Sequence, residues 1–228
     1  PGDVSGSENY RIRCCMIITI DGPAGSGKST VARCLAERLG VRFLDTGAMY
    51  RAIALSVIRS GKSLNDAAAI AQVAQSTHIR FQGSQLLLNE SDVTSEIRVP
   101  EVSSGASLVA AIPEVRYRLV RLQQEIGREG SMVTEGRDQG TIVFPEARHK
   151  YFLTASLDAR AHRRLNELTR KGISGSLEDV REQIRLRDER DEHRELAPMK
   201  PAPDAVLVDT SDLPVEDVVQ LLMRHIRA

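Results

Sequence analysis

The segment Gly22-Pro-Ala-Gly-Ser-Gly-Lys-Ser29 limits the fold more than any other part of the chain, because it fits the pattern G-x-x-x-x-G-K-[ST] in a setting where that pattern has a physical use. Before it runs Met16-Ile-Ile-Thr-Ile-Asp21, a β-branched apolar stretch that reads as a buried parallel strand. After it, Val31, Leu35 and Leu39 recur at helical spacing until Gly40 stops the pattern. The glycines permit a tight turn whose backbone N–H groups converge on phosphate oxygens, and the following helix points its positive end at the same place. Lys28 is expected to reach the β- and γ-phosphates of a nucleoside triphosphate, and the Ser29 hydroxyl to ligate Mg²⁺. The whole ATP-binding segment comprises Gly22, Pro23, Ala24, Gly25, Ser26, Gly27, Lys28, Ser29 and Thr30. A glycine-rich strand-to-helix turn with no phosphate role is the bland alternative, and the flanking strand and helix argue against it.

Val41 to Leu44 supplies a second short strand, and Ser131–Glu135, Lys150–Thr154 and Ala205–Asp209 read as later ones. Helical patterns such as Pro113–Arg128 and Asp158–Lys171 separate them, and strands alternating with helices imply a parallel sheet. Two stretches break that rhythm. Between Ser63 and Leu108 lie short β-like pieces, His78–Gln82, Leu86–Asn89 and Val93, with a Gly83-Ser84 turn, which suggest a small antiparallel insert. From Leu177 to Glu195 charges dominate and Val180, Ile184 and Leu186 are the apolar exceptions, so a helix there is expected to lie largely in solvent. The expected organisation is a leader over 1–15, a core over 16–62, 109–157 and 200–228, an insert over 63–108 and a helical lid region over 158–199.

The 31 Lys+Arg balance the 31 Asp+Glu, which argues against a basic surface built for nucleic acid or an anionic membrane. Among the basic residues, however, 26 are Arg and 5 are Lys, a bias towards the planar fork that pairs bidentately with phosphate. Codon usage alone would give the same bias, so position has to decide. No apolar run approaches the roughly 20 residues of a membrane span. Cys14, Cys15 and Cys34 have no disulfide or metal-site spacing, so the expected compartment is the reducing cytoplasm. Pro1–Arg13 lacks the apolar region of a signal peptide and reads as a frayed leader.

No Asn-Lys pair occurs, which removes the guanine-reading segment of a GTPase switch, and 228 residues are too few for a large motor ATPase. A small kinase remains. Such an enzyme must hold an acceptor anion beside the γ-phosphate and exclude water, or ATP is hydrolysed. Asp45-Thr-Gly-Ala-Met-Tyr-Arg51 and Glu135-Gly-Arg-Asp-Gln-Gly140 each follow a strand, at the sheet edge where open α/β folds bind ligands. Both turns would set an arginine beside the glycine-rich loop. Arg51 as a surface residue and Arg137 as an ion-pair partner of Asp138 are the structural alternatives. Arg187, Asp191 and Arg194 share one helical face, with Arg190 nearby; that face is either solvated or the arginine-bearing side of a mobile lid.

The segments ITIDGPAGSGKST, FLDTGAMYR, VTSEIR, EGRDQGTIVFP, AHRR, RDERDEHR and APMKPAPDAVLVDTS resemble those of the bacterial cytidylate kinases, members of the P-loop nucleoside monophosphate kinases. The similarity runs from Met16 to the C-terminus. It implies an α/β fold with a parallel five-stranded sheet flanked by helices, the antiparallel insert being an enlarged monophosphate-binding domain and the charged helix a lid. It implies transfer of the γ-phosphoryl group of ATP to CMP and dCMP, with Mg²⁺, by a cytoplasmic monomer without nucleic-acid or membrane partners. Carried over by position, Thr46, Arg51 and Arg137 would contact the acceptor phosphate, and Ser107, Arg116 and Asp138 would read cytosine. A carboxylate suits that reading because cytosine offers an exocyclic amine where uracil offers no donor. Asp191 resembles the residue that engages the ribose hydroxyls, while Arg187 and Arg194 resemble lid arginines that act with Lys28 and Arg137 in catalysis. Thr46 stands where some relatives have Ser, and Glu135 where some have Asp, which lengthens the carboxylate near the Mg²⁺ site. Two other readings stay open on the residues themselves: a nucleotide sensor without catalysis, and a kinase for another small anion such as shikimate.

Overall fold

In the computed structural model, which describes residues 15–227, the apolar run is strand β1 (Ile17–Asp21) and the pattern after the loop is helix α1 (Lys28–Leu39). Gly40 ends α1 at φ 64°, the left-handed geometry that a glycine adopts without steric cost. The chain continues through β2 (Arg42–Asp45), α2 (Thr46–Arg59), α3 (Ala67–Ser76), β3 (Ile79–Gln82), β4 (Gln85–Leu88), β5 (Ser91–Asp92) and α4 (Pro100–Val109). Then come α5 (Pro113–Arg128), β6 (Met132–Gly136), β7 (His149–Thr154), α6 (Leu157–Arg170), α7 (Leu177–His193), β8 (Val206–Asp209) and α8 (Val215–Arg227). Apart from Cys15, the expected leader lies outside the described residues.

The five-stranded sheet has the order β2-β6-β1-β7-β8 with every neighbouring pair parallel. Ile18 and Ile20 of β1 pack with Val31 and Leu35 of α1, Val133, Leu153 and the α8 residues Val218 and Leu222 in one buried cluster. A second cluster joins α2, α4 and α5 to the insert through Met49, Ile53, Ile70, Leu86, Val102 and Leu119. α2 is therefore buried among the insert's own side chains as well as starting at the sheet.

The insert holds the expected antiparallel strands, in the order β3-β4-β5, but they stand between two helices that the sequence reading did not separate from them. Asp66 caps α3 by accepting from Ala69 N at 3.0 Å, and an alanine-rich run needs little more to be helical. Pro100 starts α4, where its fixed φ suits the first turn. Val93 is a buried plug beneath the hairpin and lies outside the strands.

The charged helix α7 is less solvated than its composition suggests. Val180, Ile184, Asp188 and Asp191 form one buried stripe at helical spacing, and the first two pack with Ala161 and Leu168 of α6 and with Ala24 of the loop. Leu186 points outward. The helix ends at His193, two residues before the expected end, so Arg194 is an extended cap residue with φ −62° and ψ 138° and leaves the helical face it was expected to share.

Candidate active site

Strand register brings three turns to one edge of the sheet. Asp21 is aligned with Gly136, and Asp45 with Glu135, so the glycine-rich loop, the Arg137–Gly140 turn and the start of α2 emerge side by side. This is the carboxyl end of the strands, where open α/β sheets bind ligands. Gly22, at φ 142°, lies so close to β7 that a Cβ would run into the Leu153 carbonyl. Only glycine lets the loop leave β1 along this path.

On the donor side, Lys28 is buried and its Nζ donates to Pro23 O at 2.6 Å. Burial first, and then the charge of Arg137, push its ammonium down to about 7. The neighbouring Ser29 and Thr30 are exposed at the loop's mouth. Ser29 Oγ donates to Glu135 Oε1 at 2.9 Å, so the longer carboxylate does reach the hydroxyl expected to ligate Mg²⁺. Burial and the charge of Asp45 raise the Glu135 carboxyl. From the far side, Arg163 Nη1 donates to Thr210 Oγ1 at 3.1 Å, and that hydroxyl donates to Ser26 O at 3.0 Å.

On the acceptor side, Thr46 Oγ1 donates to Glu135 O at 2.6 Å, fastening α2 to the end of β6. Arg51 is not a free surface side chain: its Nη2 donates to both Asp45 oxygens, at 3.2 and 3.1 Å. Burial raises the Asp45 carboxyl, but Arg51, the Ala48 N–H and Arg98 outweigh it and hold the group below its ordinary value. Arg137 pairs with Asp191 at 2.9 Å and not with Asp138. Beside this pair, burial and then Arg137 push Arg187 down to about 10. Lys28, Arg137, Arg187 and Arg51 thus crowd positive charge around one space.

Two of the three cytosine-reading candidates are together. Arg116, almost fully buried, pairs with Asp138 and lies 5.8 Å from the centre of the Tyr50 ring. The turn carrying Asp138 is held by Asp21, whose carboxylate accepts from Gln139 N and Gly140 N at 2.9 and 2.8 Å. Arg194 is at this end: its Nε and Nη2 donate to Ala197 O at 3.0 and 2.7 Å, and Arg116 and Asp138 are the charges that act on it most. Arg190 stays on the outer face, donating to Leu186 O at 3.2 Å. Ser107 Oγ, Arg51 Nε and Arg187 Nε are buried without a hydrogen-bond partner among the described residues. Buried polar groups are rarely left so, and Arg51 and Arg187 are close enough for the charge of one to act on the other.

Comparison with known proteins agrees with this geometry. A family model described as cytidylate kinase matches residues 18–228. The chain belongs to the cytidylate kinase family. A cytidylate kinase of Carboxydothermus hydrogenoformans is 48% identical, covering 92% of this chain and 97% of its own. One of Pasteurella multocida is 42% identical, covering 93% and 95%. A bifunctional pantoate ligase/cytidylate kinase of Synechococcus is 46% identical over 92% of this chain but 41% of its own length, so the match is confined to part of that protein. For the fold alone, an uncharacterized protein from Eubacterium ventriosum superposes at TM-score 0.50 and 14% identity, covering 93% of this chain and 98% of that one.

In this cytidylate kinase family member the sequence reading missed several carboxylates that tie the site together. Asp45 and Asp21 end strands and looked like turn residues. Asp188 was passed over within a charge run, although it continues the stripe of Val180 and Ile184 at the next helical step. A carboxylate on the line of an apolar stripe is the signal that marks it.

Proposed function

We propose that the protein transfers the γ-phosphoryl group of ATP to CMP, and to dCMP, giving ADP and CDP or dCDP, as a cytoplasmic monomer. The observation that carries this reading is the convergence of Lys28, Arg51, Arg137 and Arg187 beside the glycine-rich loop, next to the buried Arg116–Asp138 pair. The first group suits two phosphates, and the second suits a base with an exocyclic amine.

Ser29 and Glu135 offer two adjoining oxygens, and among the described residues no group of three or more His, Cys, Asp or Glu forms a metal cage. That donor set fits Mg²⁺, which is commonly held by one or two protein oxygens together with substrate phosphates. Bound there, Mg²⁺ would neutralise charge on the β- and γ-phosphates.

The remaining chemistry belongs to the chain. A monophosphate oxygen of CMP is already ionised near neutral pH, its second pKa being about 6, so no general base is needed. That oxygen forms the new bond to the γ-phosphorus as the bond to the β,γ-bridging oxygen breaks and ADP leaves. Arg51 and Arg137 would hold the acceptor phosphate in line, while Lys28 and Arg187 would meet the charge that spreads over the equatorial oxygens. Ser107, Arg116 and Asp138 would fix the base, Asp191 the ribose, and Arg194 would close over the acceptor.

ADP formation from ATP and Mg²⁺ with CMP, dCMP, UMP or shikimate as acceptor tests the reading. CMP and dCMP are expected to be preferred. Absence of ADP with CMP would leave a sensor, and preference for shikimate would leave a different kinase.

A further inference from the structure

Two carboxylates lie on the buried side of α7, and they serve different partners. Asp191 answers Arg137 and belongs to the acceptor side. Asp188 reaches the donor loop instead. Its Oδ1 accepts the Ala24 N–H at 3.0 Å, and its Oδ2 pairs with Arg160 of α6. Arg160 Nη1 donates in turn to Ala24 O at 3.0 Å, and its Nε donates to Ala155 O at 2.9 Å. Both backbone polar groups of one loop residue are thus held by a single ion pair drawn from two helices. Asp188 is 6% exposed and Arg160 8%. The fit is close: a Cβ on Gly25 would lie 3.1 Å from Arg160 Cβ and 3.2 Å from its carbonyl oxygen.

We infer that the Asp188–Arg160 pair is a positioning device that couples the donor loop to the arginine helix, so that ATP and CMP strengthen one another's binding. The inference rests on the function proposed above. Releasing Asp188 would leave a buried guanidinium and a buried loop N–H unpaired, which is strongly unfavourable. The middle of α7 is therefore tied to the loop, and Arg187, the residue before Asp188, takes its position from the same contact. A loop conformation favoured by donor phosphates then favours the placement of Arg187 and Asp191 that an acceptor needs. Neither Asp188 nor Arg160 needs to touch a substrate for this to operate.

The affinity of CMP, measured with and without the β,γ-methylene analogue of ATP and Mg²⁺, reads the coupling directly. The wild-type protein is expected to bind CMP roughly tenfold more tightly with the analogue, within the usual range of about 5- to 150-fold for coupled sites. Asp188→Asn removes the charge but leaves Arg160 unpaired, so the neutral pair Asp188→Asn/Arg160→Gln is measured beside it to keep a folded variant in hand. In that double variant each ligand alone is expected to bind within about threefold of wild type, while the coupling factor falls towards one and KM for CMP at saturating ATP rises accordingly, by roughly tenfold. A folded double variant with wild-type coupling, or a wild-type protein without coupling, would overturn the inference. If wild-type protein fails to phosphorylate CMP at all, it is the proposed function that falls.

Discussion

On the proposed function the donor half of the cleft would grip mainly with backbone, whereas the acceptor half would grip with side chains. The donor loop is a run of consecutive residues whose peptide N–H groups and glycine conformations would do the binding, followed by the start of α1. On the proposed function the acceptor side would be assembled from Arg51 on α2, Ser107 on α4, Arg116 on α5, Arg137 and Asp138 after β6, and Arg187 and Asp191 on α7. A backbone site tolerates most side-chain changes and is written as a short motif. An assembled site depends on many single side chains, some of them anchored by a partner, as Arg51 is by Asp45 and Arg137 by Asp191.

That contrast can be broken by mutation. Arg137→Ala and Arg194→Ala are expected to lower turnover much more than ATP affinity, with a loss on the order of 10³-fold for Arg137, as for arginine fingers generally. Steady-state kinetics paired with equilibrium ATP binding separates the two effects. Comparable loss of ATP affinity with intact turnover would erase the division between the halves. Asp138→Asn is the next effect in size. The amide NH₂ faces the cytosine amine unless it flips, so the preference for CMP over UMP should fall roughly tenfold. Competition between the two acceptors measures it, and an unchanged ratio removes Asp138 from base recognition.

The smallest effect belongs to the donor half and depends on pH. The Lys28 ammonium, pushed down to about 7 in the free protein, is largely uncharged at pH 8. Nucleotide phosphates favour its charged form, so ATP binding should take up a proton above pH 7 and none well below it. ATP affinity should accordingly weaken by roughly fivefold from pH 7 to pH 8. Calorimetry in two buffers of different ionisation heat detects the uptake; equal heats at pH 8 would place the Lys28 pKa elsewhere.

The same division explains what could be read from the letters. β1, the loop and α1 are local: apolar run, glycines, helical spacing and a stopping glycine lie next to one another, and the structure has each of them. The parallel sheet followed from alternation of strand and helix. Arg51 and Arg137 could be set at the ligand edge from strand order, but Ser107 and Arg116 were gathered only through family resemblance, because nothing in their spacing says that they meet the others. The carboxylates were harder still. Asp21 and Asp188 accept from backbone N–H groups and a guanidinium that are distant in sequence, so no local pattern distinguishes them from surface acids, whereas Asp45 is a cap of α2 whose partners, Ala48 N–H and Arg51, lie three and six residues on. Arg194 shows the opposite error. Helical spacing placed it on a shared face, and a helix ending one residue earlier turned it towards Ala197.

α2 joins two jobs in one rigid body. Its first two turns carry Thr46 and Arg51, while its apolar residues are buried against the insert. With 14 residues at about 1.5 Å each it is a lever roughly 21 Å long, pivoted where Thr46 is hydrogen-bonded to Glu135 O. A tilt of about 10° at that pivot would sweep its far end through nearly 4 Å. Arg51 lies close to the fulcrum and the insert far from it, so the guanidinium proposed to hold the acceptor phosphate would be the short arm of a lever whose long arm is the insert.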